Sequence, residues 1–259
     1  MKAHQTWKRA ASAAAVAAIA LVAATALADD PPTTPSNHDP DSFGNNMVFL
    51  GVTATPSVFF YGSCTDPDPD LPFAPPNRCV VVGPSSATTF AFPDLASIYI
   101  PPRSAKTIIW PTFILSTEYQ LINNDLVSSA DGIFRTNIIF TIESDVLSDP
   151  SVKCLDLKTG AFVGCNGRLV TNIPNVYSEE HTLAPGARAL KRVRSNSTAI
   201  TGMATTSTLQ GTTNLSAKAI KKMFESPMTI RIGLSGRVQN VDPDKLNFVF
   251  MGLRLIGDR

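Results

Sequence analysis

The sequence predicts an all-β protein, a two-sheet antiparallel β-sandwich of Greek-key or jelly-roll style with one short helix. Three observations predict it. Fifteen of the 20 prolines fall between residues 31 and 111, and their fixed φ and missing N–H leave no room there for long helices. Short apolar and β-branched runs recur along the chain between Gly and Pro punctuation, the spacing of sandwiches and barrels. Two later segments alternate apolar and polar side chains with period two, the mark of a strand with one face covered.

Ahead of the strands the chain opens as an export leader. Lys2, Lys8 and Arg9 precede an uncharged, alanine-rich stretch that ends in Ala26-Leu27-Ala28, followed by Asp29 and Asp30. A basic start, an apolar middle and small residues at a cleavage site make a secretory signal. Residues 1–28 are therefore expected to be a cleaved signal peptide of bacterial character, and the protein to be secreted or periplasmic. Cleavage removes three of the 22 basic residues and none of the 21 acidic ones, leaving 19 against 21. That near-neutral balance argues against nucleic acid as a partner, because phosphate binding needs a concentrated basic surface.

After the leader no segment is long and apolar enough to span a membrane as a helix. An outer-membrane barrel would carry aromatic girdles, and the chain has only four Tyr and two Trp, one of them Trp7. Residues 29–46 hold Pro31, Pro32, Pro35 and Pro40 among polar side chains and read as a flexible Pro-rich leader. Residues 47–259 are expected to form one β-sandwich domain, with 123–132 as the best candidate for a hinge.

The strands follow in order. Met47–Val52 and Ser57–Tyr61 are apolar runs split by Pro56; Cys79–Val82, Thr88–Phe92, Ser97–Ile100, Lys106–Trp110 and Thr112–Tyr119 come next. From Ile133 to Ser144, Phe134, Thr136, Ile138, Phe140 and Ile142 share a face. From Met228, Ile230, Ile232 and Leu234 point inward. Leu246–Ile256 is apolar on both faces and reads as a central, fully covered strand with Gly252 as a bulge. The expected helix begins at Ser216, places Ala217, Ile220, Met223 and Phe224 on one face and Lys218, Lys221 and Lys222 on the other, and stops before Pro227.

Cys64, Cys79, Cys154 and Cys165 form an even set, which in an exported chain favours disulfides. A hairpin centred on Thr159-Gly160 sets Cys154 opposite Cys165, and opposed strand positions are close enough to bridge. Cys64 then pairs with Cys79 around five prolines.

Chemistry-bearing patterns are sparse, and no cofactor is expected. His38 and His181 are the two histidines beyond the leader, too few for a His-based zinc site. Ser178-Glu179-Glu180-His181 offers a general base, but no G-x-S-x-G elbow supplies a nucleophile. Glu118, Glu143, Asp145, Glu179 and Glu180 are the carboxylates from which a glycosidase pair would be drawn. Asp66, Asp68 and Asp70 alternate with proline and are a candidate Ca²⁺ ligand set, lacking the glycine and distal glutamate of a calcium loop. Arg188, Lys191, Arg192 and Arg194 form a basic cluster suited to an anionic ligand, and the lysines of the helix would extend it if the two meet.

These readings give an exported, non-enzymatic binding or structural protein of the bacterial cell envelope or exterior. Its expected partners are an envelope polymer, another protein, or further copies of itself through strand exchange by the leader. The rival expectation is a secreted hydrolase using His181 or a carboxylate pair.

Overall fold

The alternating segments become long strands, and these organise the rest. A computed structural model describes residues 47–53, 56–65, 77–199 and 204–258; the expected signal peptide, the Pro-rich leader and Asp66, Asp68 and Asp70 lie outside the described residues. The described chain is mostly β, in several sheets.

In the first sheet the central strand is β13 (Asn247–Asp258). One of its edges is paired by β5 (Ile108–Ile122); the other is shared by β1 (Met47–Val52) and β2 (Ser57–Tyr61), which meet its two halves in turn. Pro56 falls in the gap between β1 and β2, where its carbonyl still accepts from Met251 N at 3.1 Å. Outside β2 runs β3 (Arg78–Val81), parallel to it. Outside β5 run β10 (Arg188–Ala199) and β11 (Ala204–Thr205). This sheet curls into a half-barrel.

The second sheet is a four-stranded antiparallel array in the order β4 (Ala87–Ile100), β12 (Met228–Gln239), β6 (Ala130–Ser144) and β9 (Arg168–Leu183). Ile230, Ile232 and Leu234 of β12 and Phe134, Thr136, Ile138, Phe140 and Ile142 of β6 are buried as their alternation requires. Rings from the two sheets meet edge-on or stacked, the geometries aromatic pairs prefer. Phe60 packs against Phe90 at 5.0 Å and Phe134 at 5.3 Å, and Tyr119 stacks on Phe134 at 4.0 Å.

Several expectations are corrected. The runs on either side of Pro111 are one strand, β5. On one side Thr112 pairs with Ala199 and Ile109 with Ala204, and on the other Pro111 itself stays in the ladder opposite Leu255. The runs on either side of Pro93 also merge, into edge strand β4. The register with β12 slips between Ile232 and Leu234, and Gly233 leaves the space that the displaced Phe92 and Pro93 carbonyls occupy. β13 is central but not covered on both faces, since Phe250 is 39% exposed. It carries no bulge at Gly252 against β5; the irregularity lies in β1, at Gly51 with φ +144°. The 123–132 segment, the hinge candidate, carries its own hydrogen bonds. Buried Asn123 donates to the Ser128, Leu183 and Ala184 carbonyls, and Asp125 accepts from Val127 N and Ser128 N.

Among the described residues two α-helices stand where one was expected. The helix Ala217–Glu225, here α2, is capped by Ser216 and buries Ile220, Met223 and Phe224. Before it comes α1 (Thr206–Thr212), whose threonines and glycine are weak helix formers. Capping by Thr205 and complete burial of Leu209 hold it in place. Together they carry the chain from β11 in the first sheet to β12 in the second.

Both disulfides form, Cys64–Cys79 and Cys154–Cys165, with Cα separations of 5.8 and 5.0 Å. The hairpin register differs from the expected one by two residues. β7 (Lys153–Leu155) pairs with β8 (Phe162–Gly164) so that Cys154 faces Val163. The cause is Asp156, whose carboxylate accepts from Lys158 N and the Thr159 hydroxyl and winds 156–161 into a wider turn. The cysteines bridge diagonally.

Candidate functional site

β9 turns Tyr177, Glu179 and His181 onto one face, as strand alternation demands. The corner between the sheets brings that face against Tyr119 of β5 and Lys191 of β10. Glu179 Oε2 accepts from the hydroxyls of Tyr119 and Tyr177, the latter at 2.6 Å. Its Oε1 accepts from Lys191 Nζ at 2.9 Å and lies 2.8 Å from His181 Nε2. Each phenol has one proton. With both protons on Oε2, the 2.8 Å between the two hydroxyl oxygens follows from their convergence.

Burial works most strongly against the Glu179 charge, yet the hydrogen bonds from Tyr119, Tyr177, Lys191 and His181 together outweigh it and bring its pKa down to about 2. Desolvation, and then the bond to Glu179, pushes Tyr177 up to about 12 and raises Tyr119 as well. At neutral pH the cluster is one carboxylate held by two neutral phenols and by the side chains of Lys191 and His181. Both carboxylate oxygens are occupied, and no hydroxyl nucleophile bonds His181 among the described residues. The arrangement braces one sheet against the other.

The basic cluster lies beside this brace. Lys191 is engaged by Glu179, and Arg188 Nη1 lies 3.8 Å from the buried carboxylate of Asp242; the side chains of Arg192 and Arg194 lie outside the described ones. The lysines of α2 do not join it. Arg188 pairs with Ile122, whereas α1 and α2 follow Thr205 at Ile108, so the two basic groups sit toward opposite ends of β5. Glu180 pairs with Arg135.

An open surface lies on the outer face of the second sheet. Register places Tyr99, Thr229, Glu143 and Arg168 in one row across all four strands, and Ser97, Arg231, Thr141 and Val170 in the next. Glu143 joins the rows, accepting from Arg231 Nε at 2.7 Å and forming an ion pair with Arg168 Nη2 at 2.6 Å; Asp94 lies 3.8 Å from Arg231 Nε. Tyr99 is 61% exposed. A recess of about 240 Å³ opens at this end, lined by Tyr99, Glu143, Asp145, Ser148 and Thr229 among others. Further along the face the stapled hairpin β7–β8 overhangs the sheet and encloses a groove of about 550 Å³, walled by Leu155, Leu157 and Val163 over Ile139 and Val170. Concave surfaces of this size that combine apolar walls with a few polar groups suit ligands.

No family model matches this chain, and no curated protein matches it in sequence. The site therefore rests on its own geometry. Of the carboxylates noted in the sequence, Glu143 and Asp145 share the recess and Glu179 closes the brace. Tyr177, Tyr119, Lys191 and Tyr99 were not singled out as partners. The Tyr177-Glu179-His181 alternation was readable as a shared face, but the partners contributed by β5, β10 and β4 depend on strand register, which the local pattern does not carry.

Proposed function

We propose that the protein is an exported, non-catalytic binding protein of the bacterial cell envelope or exterior, with its recognition surface on the outer face of the second sheet beside the stapled hairpin. The observation that carries this reading is the contrast in availability between its polar groups. The histidine-containing cluster is spent on internal bonds, whereas Tyr99 and Arg168, both more than half exposed, line two recesses. A two-sheet sandwich as scaffold belongs to the same proposal, supported by the aromatic contacts between the sheets. Disulfides persist in oxidising compartments, which supports export, and none of the described helices is long and apolar enough to cross a membrane.

Two measurements test it. Mass spectrometry of the native protein is expected to find Asp29 at the N-terminus and both cysteine pairs oxidised; an intact Met1 with four thiols would remove the basis for export. Wild type and His181→Ala are then compared on ester, peptide and glycan substrates. No turnover by either is expected, and turnover that depends on His181 would replace binding with hydrolysis.

A further inference from the structure

On the reading that the outer face of the second sheet binds a ligand, we infer that the ligand is an uncharged glycan lying across the strands from Tyr99 toward Arg168. Three features select this chemistry. The first is charge. Arg168, Arg231, Glu143 and Asp94 form a chain of contacts with two positive and two negative groups, and Asp145 in the recess adds one negative charge, so the face carries mixed charge with no single-sign patch to draw in an ionic polymer. It offers hydrogen bonding instead. A guanidinium has five N–H groups; Arg168 meets Glu143 through Nη2 and Arg231 meets Glu143 and Asp94 through Nε, which leaves further donors for hydroxyl oxygens. Ser97 and Thr229 add groups that both donate and accept, matching hydroxyls that do the same.

The second feature is the ring of Tyr99, 61% exposed at the edge of the row. An aromatic face carries partial negative charge, and the C–H face of a pyranose presents the complementary positive hydrogens. The third is length. Four strands in register span three inter-strand spacings, about 14 Å, enough for a run of roughly three sugar units. The ion-pair network is already assembled without a ligand, so fewer side chains must be ordered on binding.

The experiment is calorimetric titration of the whole chain with uncharged hexasaccharides, cellohexaose, maltohexaose and chitohexaose, beside the charged polymers polygalacturonate and heparin. Saturable 1:1 binding of at least one hexasaccharide is expected, little changed between 50 and 300 mM salt. It should weaken about tenfold in Tyr99→Ala while the melting temperature stays put. Leu190→Glu, on the other sheet and 55% exposed, is expected to bind as wild type. No hexasaccharide binding at millimolar concentration, or binding indifferent to Tyr99→Ala, overturns the inference. Salt-sensitive binding of a charged polymer alone, abolished by Arg168→Ala, overturns the ligand class and leaves the binding reading standing. Shortening of the hexasaccharides during the titration overturns the binding reading itself in favour of glycoside hydrolysis.

Discussion

Glu179 lies between the two sheets and Glu143 on the outer face of one of them, and each carboxylate is met by more than one side chain. Their partners differ in kind. Glu179 accepts from two phenols, one on a fully buried ring, and its pKa falls because those hydrogen bonds outweigh burial. Glu143 is held by two guanidiniums, those of Arg168 and Arg231, that keep contact with water. A buried phenol that loses its carboxylate exchanges a charged acceptor for the neutral oxygen of the other phenol, whereas an exposed guanidinium that loses its carboxylate is solvated at once. Similar contact lists thus carry different consequences, stability at the first site and accessible donors at the second.

The largest effect should come from truncating the inner carboxylate. Glu179→Ala is expected to cost about 2–4 kcal/mol in urea unfolding, because both phenols lose a charged acceptor and only one of them can donate to the other, while Glu143→Ala costs less than about 1 kcal/mol. Equal losses would break the comparison. Acid sharpens it. Glu179 sits at about 2 against an ordinary 4.5, so its contribution is complete above about pH 4.5 and disappears as the pH falls toward 2. Wild type should lose about 1–2 kcal/mol across that window beyond what Glu179→Gln loses, less than full linkage because water reaches the carboxylate and screens it, measured by unfolding at each pH; parallel profiles would remove the charge from the account.

Next in size is the hairpin that overhangs the outer face. Replacing Cys154 and Cys165 with serine is expected to lower stability by about 2–3 kcal/mol, and hydrogen exchange should rise first in 153–165. Protection unchanged there would mean that Asp156 and the strand pairing hold the hairpin without the bridge. The smallest effect is Tyr99→Ala, within about 0.5 kcal/mol of wild type for so exposed a side chain. A larger loss would move Tyr99 from the open surface to the structural group.

What the sequence showed of this architecture follows the reach of each signal. Period two in 133–144 and 228–234 gave the buried faces of β6 and β12, because alternation alone decides which side of a strand meets the core. Ser216 and the apolar positions 220, 223 and 224 gave α2 for the same local reason. The disulfide partners were legible too, although the argument for Cys154 assumed a tight turn that Asp156 widens. Two prolines misled. Pro111 and Pro93 read as strand ends, yet one sits inside β5 opposite Leu255 and the other lies on an edge strand at a bulge. α1 was hidden because burial of Leu209 overrides the weak propensity around it. The candidate face was least visible. Tyr99, Thr229, Glu143 and Arg168 are scattered along the chain and form a row only once four strands have found their register.

The position of β13 also sets a timetable. It follows every other described strand in chain order, yet it lies between β5 on one side and β1 and β2 on the other. A ribosome delivers all its neighbours first, and until residues 247–258 emerge those neighbours have an empty slot where their shared partner belongs. Over that interval the first sheet lacks its middle strand, and a helper that holds the chain unfolded has time to engage it.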